Sequence, residues 1–371
     1  MKYAEIETQK ELKHLFRRSG DIINKVAFQD VDLSEFEEDV LRFYFSNCLF
    51  LGCKMTEKIR KHIEKENYLF PKLDVPYNIY PSRLYNKDDL YGEYETGNPA
   101  SYEKTFDKRV YKHFIETGKE SDSIKETLAR RLHDHSITDA LYDFLENYDE
   151  KKVVAVMGGH SLARNTEDYK TVVRLSKELT EKGYLMISGG GPGAMEATHV
   201  GAWFAGKSKE DLESAFEILD TAPVYKDKMW MDTAMRVIEK FPNSGEFESL
   251  GVPTWLYGHE PPTPFATKIA KYFANSVRED GLLTVAKGGI IYSPGSAGTI
   301  QEVFQEITQN HYLSFGYASP MIFMNKKFWT EETPVYAYIQ DLISRGKLKN
   351  LILSVCDTVE EIENELIKFI S

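Results

Sequence analysis

At 371 residues, with 42% hydrophobic and 28% charged side chains, the chain has the makeup of a folded globular protein. It is long enough for two domains of roughly 100 to 200 residues each. The formal net charge of -12 opposes a binder of nucleic acid polymers, which relies on clustered Lys and Arg, and leaves room for a small anionic ligand in a local site.

The three cysteines, Cys48, Cys53 and Cys356, form neither a disulfide framework nor a paired zinc motif, as expected of a reducing compartment. The N-terminus runs into mixed charges without an apolar signal region, and no stretch approaches about 18 uncharged apolar residues. A cytoplasmic protein with no membrane partner is expected.

From about residue 8 to 70, apolar residues at helical spacing such as Val40, Leu41, Phe43, Tyr44, Cys48 and Leu49 predict helices. No parallel-strand pattern and no internal repeat is evident. Residues 71–110 are rich in Pro, Gly, Asn and Tyr and predict an ordered, irregular segment. Tyrosines 80, 85, 91, 94 and 102 within it suit either domain packing or a recognition surface for a partner. A helix from Ser123 to about Glu146 then leads to the charged junction Asp149-Glu150-Lys151-Lys152, where the domain boundary is placed. Residues 1–150 thus read as a mostly helical N-terminal domain and 151–371 as the second domain. His133 and His135 fall on different helix faces, which favours solvent or intramolecular contacts over a shared metal.

Past the junction, short apolar runs alternate with amphipathic helices, the pattern of an α/β fold with a parallel sheet and flanking helices. Strands are predicted at Val153–Met157, Tyr184–Ser188, Val252–Tyr257, Gly289–Tyr292 and Met321–Met324. Helices are predicted at Tyr169–Lys182, Gly193–Gly206, Phe265–Val277 and Thr299–Thr308.

Two strand-to-helix turns are dense in glycine. In Ser188-Gly189-Gly190-Gly191-Pro192-Gly193-Ala194-Met195-Glu196 the missing side chains let backbone amides approach a ligand, and the helix that follows adds a positive end. The turn Ser293-Pro294-Gly295-Ser296-Ala297-Gly298-Thr299 repeats this and offers the Thr299 hydroxyl to a phosphate oxygen. Neither turn has the P-loop spacing, and Gly189–Gly193 lacks that of a dinucleotide fingerprint. Tight turns that let helix and strand pack closely are the alternative reading of each. Gly158-Gly159-His160-Ser161, after the first strand, is a third candidate wall, with Gly158 and Ser161 as its ligand contacts. Glu302 falls in the first turn of its predicted helix, where the dipole favours an ionised carboxylate.

These residues resemble the Lonely Guy family of nucleotide phosphoribohydrolases, a Rossmann-like group also labelled lysine decarboxylase-like. Its Gly-Gly-Gly-x-x-Gly-x-Met turn is matched by Gly189, Gly190, Gly191, Gly193 and Met195. Its Pro-Gly-Gly-x-Gly-Thr-x-x-Glu turn is matched by Pro294, Gly295, Gly298, Thr299 and Glu302, with Ser296 in place of the middle glycine. The family's arginine, on the helix before that strand, corresponds to Arg278, and Glu279 stands where a basic residue commonly follows.

The resemblance covers roughly residues 151–370 and leaves Lys207–Pro262 as an elaboration near the site, with Gly258-His259-Glu260-Pro261-Pro262 a candidate lining or a plain turn. It implies hydrolysis of the N-glycosidic bond of a nucleoside 5′-monophosphate, with Arg278 and Glu302 catalytic. Gly158, Ser161, Gly189, Gly190, Gly191, Gly193, Met195, Gly295, Ser296, Ala297, Gly298 and Thr299 would bind substrate or phosphate. It implies no metal or other cofactor, and a homo-oligomer. The rival reading is a nucleotide-binding sensor on the same fold without turnover.

Overall fold

The computed structural model describes residues 3–17 and 20–370. The chain divides into two compact units, one made of residues 1–84 and 113–144, the other of residues 85–112 and 145–371. Residues 85–112, which the sequence puts with the N-terminal half, thus belong to the second unit.

The first unit overturns the expectation of helices without strands. It holds β1 (Ala4–Ile6), β2 (Ile22–Asn24), β3 (Val26–Gln29), β4 (Tyr44–Ser46), β5 (Leu49–Leu51) and β6 (Tyr68–Phe70). A four-stranded sheet runs β1-β3-β5-β6 and a two-stranded one pairs β2 with β4, every pair parallel. Ala4 pairs with Val26, Ile22 with Tyr44 and Ala27 with Leu49, each a step of 22 residues.

Other features keep the same step. Positive φ angles recur at Lys25 and Asn47 and at Asp30 and Gly52, and Asp32 bridges to Lys54. Phe28 stacks on Phe50 with centroids 4.8 Å apart, inside a core that also holds Ile23 and Phe45. An internal repeat therefore exists where none is evident in the sequence. Strands of three or four residues are too short to display a period of two, and side chains that differ from one coil to the next hide the repeat.

The helix Ile124–Leu145 follows, and of its two histidines one has a side-chain partner and the other faces solvent. His133 is buried with Nδ1 3.1 Å from Asp134, whereas His135 is exposed. Tyr80 is buried in this unit, and Tyr85 and Tyr91 in the other, which favours the packing role for these three.

The second unit is built on one parallel sheet of seven strands: β7 (Val153–Met157), β8 (Leu185–Ser188), β9 (Ser249–Gly251), β10 (Lys268–Ile269), β11 (Gly289–Tyr292), β12 (Pro320–Met324) and β13 (Ile352–Cys356). Their order is β10-β9-β8-β7-β11-β12-β13. Strands β7, β8, β11 and β12 are buried along their whole length, which is why they read as unbroken apolar runs. The chain builds outward from β7 to β10 and then returns to β11 on the other side of β7. This is a Rossmann-like α/β sheet whose topological switch point lies between the carboxyl ends of β7 and β11.

Two predicted elements differ. The strand expected at Val252–Tyr257 lies earlier, at β9, because Pro253 has no N–H for a ladder, and Trp255–Tyr257 instead forms a 3₁₀ turn. The helix expected at Phe265–Val277 is the edge strand β10 followed by a helix that starts at Asn275. Phe265, Ala266, Ile269, Ala270, Tyr272 and Phe273 are all buried, and apolar residues surrounded on every side mimic helical periodicity.

Residues 85–112 are tied to this unit by a buried ion pair. Asp107 bonds the Lys271 ammonium and accepts from Trp255 Nε1 at 3.0 Å, with neither charged side chain exposed to solvent. Burial pulls the Lys271 pKa down, and Asp107 pushes back. Removing one partner strands the other without water, so Asp107→Ala is expected to cost about 3–5 kcal/mol. Urea denaturation and faster proteolysis within residues 85–112 would measure it. An unchanged midpoint would show that the pair does not hold the segment.

Among the described residues, no helix is long and apolar enough to cross a membrane.

Candidate functional site

The turns after β7, β8 and β11 meet at the switch point. Gly159 N donates to Pro294 O at 3.1 Å, which joins the first and third turns, and Ala194 N donates to Gly159 O at 3.1 Å, which joins the first and second. The glycines permit this closeness. A Cβ on Gly158 would sit 2.7 Å from the Ala194 side chain, and one on Gly193 would sit 2.7 Å from His160 O. Gly190 and Gly193 also adopt φ of 69° and 71°, a left-handed conformation costly for other residues. Behind the second turn, Ser188 Oγ accepts from Gly190 N at 3.1 Å and contacts His199 Nε2 at 2.8 Å. Burial depresses the His199 pKa to about 3, so this ring is a neutral brace for the turn.

The three turns enclose a cleft of about 430 Å³. Of the residues singled out in the sequence, Gly158, Gly189, Gly191, Met195, Ser296, Ala297, Gly298, Thr299, Arg278 and Glu302 line it. Gly190 instead shapes the turn, its carbonyl accepting from Thr263 N at 2.9 Å, and Gly295 packs against Thr299. Ser161 and Gly193 open onto a neighbouring hollow. Thr254, Tyr257, Glu260, Glu279 and Gln301 are further cleft residues, and Glu260 makes the stretch after Gly258 a true lining.

One wall of the cleft is the N-terminus of the 16-residue helix Ala297–Tyr312, whose first turn has no side-chain cap. Ser296, Ala297 and Gly298 are exposed there. An uncapped helix start with small residues is suited to an anion. Ser296 stands at φ -119°, open to any residue, which explains why a serine is accepted at a position where glycine is usual in the resembled motif.

Opposite lies Arg278, whose Nε donates to Val252 O at 2.9 Å and whose guanidinium rests against Gly189. Glu279 accepts from Asn275 Nδ2 at 2.6 Å and from Gln301 Nε2 at 3.1 Å, so it is anchored beside the arginine. The helix carrying Glu302 starts at Ala297, two residues before its predicted start, so this carboxylate sits in the second turn and gains less from the dipole than expected. Burial dominates instead. It raises the Glu302 pKa to about 7, with Arg278 drawing it down and Glu279 pushing it up. A carboxyl group poised near neutrality in a polar cleft is suited to proton transfer.

Gly189→Ala tests the fit around Arg278. The new methyl would overlap the guanidinium and lie 2.6 Å from Met195 Sδ, so Arg278 must swing away while the fold survives. Gly190→Ala would instead press on Pro253 Cδ at 2.9 Å in a backbone state unfavourable to alanine. We expect the first variant to keep its melting temperature within a few degrees and lose function about tenfold or more, and the second to lose stability by about 1–3 kcal/mol. Equal thermal melts would count against this division of roles.

Beside the cleft, Arg164 and Glu196 form a buried pair that nothing local in the sequence announces. Arg164 Nε and Nη2 donate to the two Glu196 oxygens at 2.8 and 2.5 Å, and Tyr169 Oη donates to Glu196 at 3.0 Å. Glu196, in the first helical turn after the glycines, is thereby a structural acid.

No family model matches the chain, and none of the curated proteins does. Among solved structures, the molybdenum cofactor binding protein from the phototrophic bacterium Rippkaea orientalis is similar at 14% identity, with 59% of this chain and 97% of that one covered and a TM-score of 0.37. The Moco carrier protein from Chlamydomonas reinhardtii is similar at 14% identity, with 58% and 98% covered and a TM-score of 0.33. The strand order β10-β9-β8-β7-β11-β12-β13 itself defines the Rossmann-like class.

Proposed function

We propose that the second unit hydrolyses the N-glycosidic bond of a nucleoside 5′-monophosphate, releasing the free base and ribose 5-phosphate. The observation that carries this reading is a single cleft holding an uncapped helix N-terminus, an anchored guanidinium and a carboxyl group with a pKa of about 7. The resemblance of both glycine turns to the phosphoribohydrolase signatures supports it as well.

In this reading the amides of Ala297, Gly298 and Thr299, with the Thr299 hydroxyl, hold the 5′-phosphate and fix the sugar. The C1′–N bond breaks with its electron pair passing to the base, and positive charge develops on the ribose. Ionised Glu302 stabilises that charge and takes a proton from the water whose oxygen bonds to C1′. The proton ends on the departing base. Arg278 orients the carboxylate or the substrate.

Incubating the purified protein with a panel of nucleoside 5′-monophosphates and following free base tests the reading. Base release lost in both Glu302→Gln and Arg278→Ala is expected. Tight binding by wild type without release would reject hydrolysis and leave a nucleotide sensor.

A further inference from the structure

The hollow beside the cleft has a volume of about 220 Å³, and His160 lines both spaces. One wall comes from the elaboration Lys207–Pro262, in the loop between the helices Lys209–Leu219 and Trp230–Lys240, through Pro223, Val224, Tyr225 and Lys226. The other wall is the β7 turn, with His160, Ser161 and Leu162.

This loop is held in place at both ends by one residue. Arg164 N donates to Pro223 O at 3.0 Å, and Arg164 Nη1 donates to Ala222 O at 3.2 Å and Trp230 O at 3.1 Å. The same guanidinium clamps Glu196 at the Gly193 end of the hollow. Within the loop, Val224 N donates to Asp227 Oδ2 at 3.0 Å. The wall is therefore preorganised, so a ligand need not order it.

Its backbone offers an anion no free donor at the helix start, Ala194. Ala194 N, at the nearby helix start, is already bonded to Gly159 O. Glu196, which lines the hollow, is fully buried and already neutralised by Arg164, and Glu260 lies 3.9 Å from His160 Nε2. What remains open is apolar and aromatic. Val224 is 39% exposed, and the Tyr225 ring stands at 73° to that of His160 with centroids 6.1 Å apart. Ser161 and Lys226 add donors at the rim, the Lys226 ammonium lying 5.8 Å from the Tyr225 ring centroid. Apolar walls with a few donors suit a flat heteroaromatic ring bearing acceptor atoms.

We propose that this hollow is the base subsite of the cleft, with Tyr225 its chief contact, so that the elaboration supplies recognition of the nucleobase while the helix start at Ala297 holds the phosphate. The assignment rests on the nucleotide reading given above.

The test compares calorimetric affinities for a panel of nucleoside 5′-monophosphates with that for ribose 5-phosphate, in wild type, Tyr225→Ala and Tyr225→Phe. Loss of a stacking partner predicts that Tyr225→Ala weakens the preferred nucleotide about 10- to 100-fold and leaves ribose 5-phosphate within about twofold. Tyr225→Phe retains most of the affinity. Equal weakening of both ligands, or none, overturns the subsite. A wild type that binds ribose 5-phosphate as tightly as every nucleotide overturns it too while leaving the phosphate site standing. Binding of neither ligand rejects the nucleotide reading together with the subsite.

Discussion

Glu302→Gln is expected to abolish base release, by about 10²- to 10⁴-fold, and at the same time to make the protein more stable at pH 8. Both effects come from a carboxyl group whose pKa burial raises to about 7 in the folded chain, from an ordinary value of 4.5. Between these two values the folded state keeps the proton and the unfolded state releases it. Stability therefore falls as pH rises through that window and stays lower above it. The penalty is about 1–3 kcal/mol after allowing for the partial exposure of the side chain.

Glutamine carries no charge to bury, so the variant should match wild type near pH 4 and exceed it at pH 8. Wild-type turnover should run the other way, rising about tenfold between pH 6 and 8 as Glu302 ionises. Thermal melts at both pH values and a pH–rate profile would measure the pair of effects. Lost activity without a stability gain at pH 8 would mean that Glu302 is solvated in solution and titrates as an ordinary acid.

Arg164→Met is expected to destabilise the second unit by about 3–5 kcal/mol, because it leaves the Glu196 carboxylate buried with the Tyr169 hydroxyl as its side-chain donor. Arg164 and Glu196 are 1% and 0% exposed, so water cannot replace the lost guanidinium. Adding Glu196→Leu should recover part of the loss by removing the stranded charge. Recovery stays incomplete because Ala222 O, Trp230 O and Thr233 Oγ1 also lose their shared donor. A double-mutant cycle in urea, followed by tryptophan fluorescence, would give the coupling. Purely additive effects would show that the pair does not act as a unit.

The α/β class and the cleft's glycine turns were legible in the amino-acid order because each has a local cause. Strands covered on both faces must be apolar throughout, as β7, β8, β11 and β12 are. Backbone at φ near 70° favours glycine at Gly190 and Gly193 whatever lies far away. Other features had no local cause. The partner of Arg164 lies 32 residues on, and that of Asp107 lies 164 residues on, and no periodicity links either pair.

The repeat of β1 to β5 uses strands too short to carry their own pattern. The pKa of Glu302 depends on how much water the folded cleft leaves around it, and its place in the helix alone led to the opposite expectation. By itself the sequence determined the fully buried strands β7, β8, β11 and β12 and which turns carry glycine, since these follow from the residues' own conformational limits. Only the tertiary structure decided which charges are buried together, how the proton on Glu302 is held and which loop walls the hollow beside His160, because desolvation and packing depend on neighbours that folding brings from afar.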